Sequence, residues 1–168
     1  TNYLMLTLIC QCLHAQSRRV TRMSKDTWIS EILAGEYDGQ EVELKGWIYR
    51  SRGSNKIRFI VVRDSTGNIQ CVAKREVLGD LFFDELKSSL IESSVILKGI
   101  VQPTDREHGH ELQVLSGEVV GSVNPERPFP ITESAMTEAD GGETEFLLDN
   151  RHLYLRTSRM TTMLKIRS

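Results

Sequence analysis

Hydrophobic and polar positions change period several times along this chain. From Glu41 to Arg50, Val42 and Leu44 fall on one side of an alternating run whose other side is charged, the period-two pattern of a half-buried strand. Gly46 marks where that strand would bulge or bend. Residues 51–56 form a polar turn containing Gly53, and a second strand follows from Ile57 to Arg63. Asp64-Ser-Thr-Gly67-Asn68 has hairpin chemistry, because Gly and Asn tolerate positive φ. Ile69 to Ala73 makes a third strand. Between Glu76 and Ser93 the period lengthens: Leu78, Leu81, Phe82, Leu86 and Leu90 fall at helical spacing, which predicts one amphipathic helix. Val95 to Val101 and Leu112 to Val120 read as two further strands, joined by a polar loop holding Pro103 and Gly109.

The expected fold is therefore all-β with one helix, in the order β-β-β-α-β-β. A single helix between the third and fourth of five short strands matches the OB-fold barrel, whose closure removes exposed strand edges. A short helix over Trp28, Ile29, Ile32 and Leu33, capped by Ser24 or Asp26, is expected to precede the barrel. After Val123, Asn124-Pro-Glu-Arg-Pro-Phe-Pro130 excludes regular helix or central strand, and residues 133–145 are acidic. The expected division is an extension at 1–22, the barrel at 23–123, a hinge at 124–145 and the beginning of a second, truncated domain at 146–168. The apolar run Tyr3–Leu13 has its positive charges after it (Arg18, Arg19, Arg22), the reverse of a secretory signal. Met23 is accordingly read as the natural start and 1–22 as non-native or disordered.

Composition narrows the function class. The 168 residues carry 39% hydrophobic and 26% charged side chains and a net charge of −2, as in an ordinary globular domain. No stretch approaches the ~18–20 apolar residues of a membrane span, so no membrane partner is expected. An odd count of three cysteines argues against a disulfide framework and suits a reducing, cytoplasmic compartment. Cys10-Gln-Cys12 lacks a second ligand pair at zinc spacing, and His108-Gly-His110 reads as a hairpin loop. The charge is segregated: eight basic residues against one acid lie between Lys45 and Arg75, and sixteen acids against four bases between Glu76 and Asn150. A basic segment interleaved with aromatics suits a polyanion carrying bases to stack.

OB barrels bind single strands across the second and third strands. If Ile60 and Val62 point to the core, Phe59 faces out among arginines as a platform for a base. Gln70 then faces out as well, with an amide that donates and accepts as reading a base edge requires. Arg50 needs a bulge near Gly46 or Tyr49 to turn outward. The residues alone leave a second reading open, in which Phe59 is core, Gln70 is merely solvated and Arg50 pairs with an acid.

Gly46-Trp-Ile-Tyr-Arg50 with Phe59-Ile-Val-Val-Arg-Asp-Ser-Thr-Gly-Asn-Ile-Gln70 resembles the anticodon-binding OB domain of the aspartyl/asparaginyl branch of class II aminoacyl-tRNA synthetases. Phe146-Leu-Leu-Asp-Asn-Arg-His-Leu-Tyr-Leu-Arg156 resembles the segment that joins the hinge to the first catalytic helix of that family, and Leu164–Ser168 resembles the start of that helix. Arg63-Asp-Ser-Thr-Gly-Asn-Ile-Gln-Cys-Val72 is nearer to asparaginyl than to aspartyl members. The resemblance implies that Phe59 stacks on the central anticodon uridine, that Gln70 reads its edge and that Arg50 contacts the same region. Arg50, Arg52, Lys56, Arg58, Phe59 and Gln70 are thus the expected nucleic-acid-binding residues, with an anticodon stem-loop as partner. The Arg-containing and Gly-rich motifs that grip ATP are missing between residues 1 and 168. The resemblance therefore implies a fragment without catalytic, cofactor or metal residues. The full-length parent would be an asparagine–tRNA ligase using ATP and Mg²⁺ as a homodimer. The alternatives are an aspartate–tRNA ligase fragment and a free-standing module that binds single strands without sequence preference.

Overall fold

The computed structural model describes residues 27–104, 109–131 and 144–168. The readings made for residues 1–22, for Ser24 and Asp26 as caps and for His108 lie outside the described residues. Five strands, β1 (Glu41–Gly53), β2 (Ile57–Arg63), β3 (Asn68–Lys74), β4 (Ser94–Pro103) and β5 (His110–Gly121), form a closed barrel in the order β1-β2-β3-β5-β4. All neighbours are antiparallel except β3 and β5, which run parallel and close the barrel. The expected five-stranded OB-fold is present.

Strand β1 is long because it serves two neighbours, pairing with β4 from Glu41 to Trp47 and with β2 from Trp47 to Gly53. The segment read as a polar turn at 51–56 is strand up to Gly53. At Gly46 the backbones come so close that a Cβ would stand 2.6 Å from the Arg63 carbonyl oxygen. Inward residues of successive strands (Leu44, Ile48, Ile60, Val62, Ile69, Cys71, Leu97 and Leu112) are fully buried and fill the barrel, the alternation expected of a small barrel.

The single helix expected over 76–93 is instead two short ones, α2 (Arg75–Leu78) and α3 (Asp80–Ser88), with α1 (Ile29–Leu33) earlier in the chain. Gly79, at φ 76°, breaks the run, a conformation glycine adopts at no steric cost. The break rotates the buried face: Phe83 and Leu86 enter the interior, while Leu81 is 92% exposed. Arg75 holds the kink by donating to Asp80 at 2.6 Å and to Asp84, and its guanidinium lies 4.7 Å from the Phe83 ring centre. Those carboxylates, the Asp80 hydrogen bond foremost, push the Arg75 pKa up.

Helix α1 buries Ile29 and Ile32 beside the β2–β3 turn. Its first amides are satisfied from that turn, Ile29 N–H donating to Asp64 Oδ2 at 2.9 Å and Ser30 N–H to Thr66 Oγ1 at 3.1 Å. Beyond the barrel lie α4 (Thr144–Asp149), α5 (Arg151–Tyr154) and α6 (Ser158–Arg167). The last begins on Thr157, whose Oγ1 accepts from Met160 N–H, a standard N-terminal cap. Lys165 Nζ donates to the Ser65 carbonyl at 3.0 Å, tying α6 to the β2–β3 turn. No described helix is long and apolar enough to cross a membrane.

Candidate nucleic-acid interface

The register of the barrel lines up two rows of outward side chains across four strands. Arg50, Val61, Gln70 and Glu111 are successive cross-strand partners in one row. Arg52, Phe59, Val72 and Gln113 make the next row. At ~4.8 Å between strands, each row spans about 14 Å.

Arg50 reaches this face through a local irregularity. The β1–β2 register shifts between Ile48 and Arg50, leaving Tyr49 bulged. Ile48 still points to the core and is fully buried, whereas Arg50 is exposed. Of the two bulge positions the sequence offered, Tyr49 is the one used, while Gly46 stays in regular pairing with Val95.

Phe59 is half-buried on the outer face, opposite in parity to the fully buried Ile60. The Arg52 guanidinium stands 5.9 Å from its ring centre, a cation–π arrangement. Arg52 also donates to Gln70 Oε1 at 3.4 Å, and Gln70 Nε2 donates to Glu111 Oε2 at 3.3 Å. Glu111 in turn accepts from Gln113 Nε2 at 2.8 Å. Gln70 therefore faces out but is not wet, being only 9% exposed. Its two hydrogen bonds are long, hence weak, and they fix which end of the amide donates.

The remaining expected residues divide. Lys56 is exposed at the rim, in a loop held where Lys56 N–H donates to Ser54 Oγ and Arg75 N–H donates to the Lys56 carbonyl at 2.9 Å. Arg58 is not brought to the outer face. It shares the parity of Ile60, and its Nη2 donates to Ser51 Oγ at 2.9 Å, while its Nε is buried without a partner. Arg63 and Arg75, counted in the basic run, are engaged with Glu92 and with Asp80 and Asp84. The face is thus less basic than the run of residues suggested. Lys74, exposed on the same parity as Gln70 and Val72, adds a charge at its edge. Sequence reasoning missed Lys74, Glu111 and Gln113. The signal for Lys74 was the parity already used for Gln70, but Glu111 and Gln113 are placed only by the parallel β3–β5 pairing.

Beneath this face Cys71 is fully buried, and burial, aided by the Glu111 charge, pushes its thiol pKa far up. It is a core side chain. Among the described residues no group of three or more His, Cys, Asp or Glu is placed to hold a metal ion. The described donor set does not fit a Mg²⁺ centre.

Residues 42–120 match the family described as OB-fold nucleic acid binding domain. The asparagine–tRNA ligase of Thermoplasma acidophilum is 43% identical over 141 residues, which is 83% of this chain and 30% of that protein. The asparagine–tRNA ligase of Koribacter versatilis is 40% identical over 134 residues, 79% of this chain and 29% of that protein. Residues 42–120 thus form an OB-fold nucleic acid binding domain of that family. The chain is homologous to the N-terminal anticodon-binding domain of the asparaginyl-tRNA synthetases. The solved asparaginyl-tRNA synthetase of Pyrococcus horikoshii superposes with a TM-score of 0.72 at 35% identity, over 84% of this chain and 32% of that one. The aspartyl-tRNA synthetase of Entamoeba histolytica superposes with a TM-score of 0.71 at 21% identity, over 90% of this chain and 36% of that one, a likeness of fold alone. The chain spans about 30% of the length of the curated relatives it matches.

Proposed function

We propose that this domain binds the anticodon loop of a tRNA on the outer face of β1, β2, β3 and β5. The observation that carries the reading is the pair of outward rows, in which an aromatic ring and a carboxamide stand side by side on a barrel of this family. Phe59 stacks on the central anticodon base, and the Gln70 amide reads the edge of that base. For a uridine the donor–acceptor pair of the amide complements the alternating carbonyl and N–H of the pyrimidine edge. Arg50, Arg52 and Lys56 supply cationic contacts to the adjoining phosphates. Arg58 takes a secondary place, because it stands on the other parity and is bonded to Ser51.

The parent protein is proposed to be an asparagine–tRNA ligase, which activates asparagine with ATP and Mg²⁺ and esterifies it to tRNA, as a cytoplasmic homodimer. The asparagine reading is favoured over the aspartate one because relatives that match this chain at 40–43% identity are asparagine–tRNA ligases. In the proposed organisation residues 23–123 are the anticodon domain, 124–145 the hinge and 146–168 the entry to the catalytic part.

Filter binding of this chain to a tRNA with a GUU anticodon, against one with the central base changed, tests the proposal. A clear preference for GUU is expected. Equal affinity for the two would refute anticodon reading and leave a module that binds single strands without preference.

A further inference from the structure

At the opposite end of β2 from Phe59 lies a cluster that the binding face does not absorb. Glu92 is the one described non-glycine residue with positive φ, at 68°, a backbone state that side chains other than glycine occupy only when the surroundings enforce it. Its side chain is 6% exposed and takes two hydrogen bonds from one arginine and an ion pair from another. Arg63 Nη2 donates to Oε1 at 2.8 Å and Oε2 at 3.0 Å, and Arg156 Nη2 stands 2.7 Å from Oε2. Arg63 Nη1 also donates to the Arg156 carbonyl at 2.8 Å, so the two arginines are locked to each other as well.

The cluster reaches in two directions. Glu92 N–H donates to the Ile48 carbonyl at 2.7 Å, and Ile48 N–H donates to the Ser93 carbonyl at 2.9 Å. Those bonds seize the residue just before the bulge at Tyr49. Arg63, held by the carboxylate, lies 5.6 Å from the Tyr49 ring centre. Toward the C-terminus, Arg156 lies over Trp47 at 5.9 Å and over Phe129 at 5.7 Å, immediately before the Thr157 cap of α6.

We propose that Glu92 is a positioning residue that holds the Tyr49 bulge, and with it Arg50, in register with the segment leading into α6. The carboxylate acts through Arg63 on the bulge and through Arg156 on α6. A buried carboxylate is tolerated only with cationic partners in place, and because both arginines meet the same carboxylate, its loss releases the bulge and α6 together. The part concerning RNA rests on the anticodon reading above. The part concerning the bulge and α6 does not.

Hydrogen exchange and RNA binding on the full chain test this with Glu92→Gln, whose amide turns a donor toward two guanidiniums. Amides at 48–52 and 155–167 are expected to exchange about tenfold faster or more, while those of β3 keep their protection. Affinity for a GUU anticodon stem-loop is expected to fall about three- to tenfold. The double variant with Arg50→Met should bind no more weakly than the weaker single variant, since one change acts through the other. Unchanged exchange at both segments, acceleration spread evenly over all strands, or additive losses of affinity would overturn the proposal. Should Glu92→Gln fail to fold, Arg156→Met removes one arm only. It is expected to speed exchange at 155–167 alone, and no change there would overturn the link to α6. If Arg50→Met leaves stem-loop affinity unchanged, the anticodon reading fails instead, and the exchange pattern still decides what Glu92 holds.

Discussion

Replacement of Phe59 by alanine separates the two fates open to a strand phenylalanine. The ring is partly buried on the outer face, between Arg52 and Val72 in the register. Burying a whole Phe side chain contributes about 1.5–3 kcal/mol, of which a ring buried to roughly two thirds or more carries most. An exposed cation–π contact with Arg52 adds about 0.5–1 kcal/mol. The expected loss of stability is therefore about 1.5–3 kcal/mol, below the ~3–5 kcal/mol typical of truncating a core phenylalanine such as the fully buried Phe83. Binding should suffer more in proportion. Loss of one base-stacking platform costs about 1–3 kcal/mol, or roughly 5- to 150-fold in affinity. Thermal unfolding in parallel with filter binding to a GUU stem-loop checks both halves. A folded Phe59→Ala domain with unchanged RNA affinity would refute the stacking role. A domain that loses as much stability as Phe83→Ala would show that the ring belongs to the core.

Three other outcomes follow from the same geometry. Lys56→Ala should weaken binding of all anticodon sequences alike and flatten the log-affinity against log-salt slope by about 0.7–0.9, the contribution of one phosphate contact; an unchanged slope would remove Lys56 from the interface. Gly46→Ala should destabilise the barrel by about 1–3 kcal/mol in a denaturant titration, because its Cβ meets the Arg63 carbonyl at 2.6 Å. Cys71 holds its proton more tightly folded than unfolded, so its contribution is intact below the ordinary thiol value of 9.0 and is lost as pH rises past it. The melting temperature should therefore fall above that pH, Cys71→Ala should flatten the fall, and the native thiol should resist thiol reagents that modify the unfolded chain.

How much of this was legible in the sequence depends on whether the cause was local. Period-two alternation located β1, where one face is buried and the other is not, whereas β3 is buried on both faces and was legible as a short apolar run between turn residues. Parity put Phe59 and Gln70 outside, and the conflict of Arg50 with strict alternation pointed to the bulge found at Tyr49. The helix region misled because Leu81 and Leu90 extended a helical spacing across Gly79, whose positive φ ends one helix and starts another. Nothing in residues 75–93 alone distinguishes a tolerated glycine from a break. The caps of α1 come from Asp64 and Thr66, far along the chain, and no local motif announces them. The same holds for the binding face. Glu111 covers Gln70 because β3 pairs with β5, a contact that only barrel closure creates. Parity also argued against Arg58, whose inward position was readable beside Ile60, but the weight of positive charge along the run obscured it.

The most direct measurement is a photo-crosslink from an anticodon stem-loop carrying 4-thiouridine at the central anticodon position. The crosslinked peptide is predicted to contain Phe59 or Gln70 and to disappear from a competitor-saturated sample. Attachment instead at the apolar groove beside Trp28 and Trp47, which are 43% and 41% exposed on another part of the barrel, would contradict the assignment of the outer face.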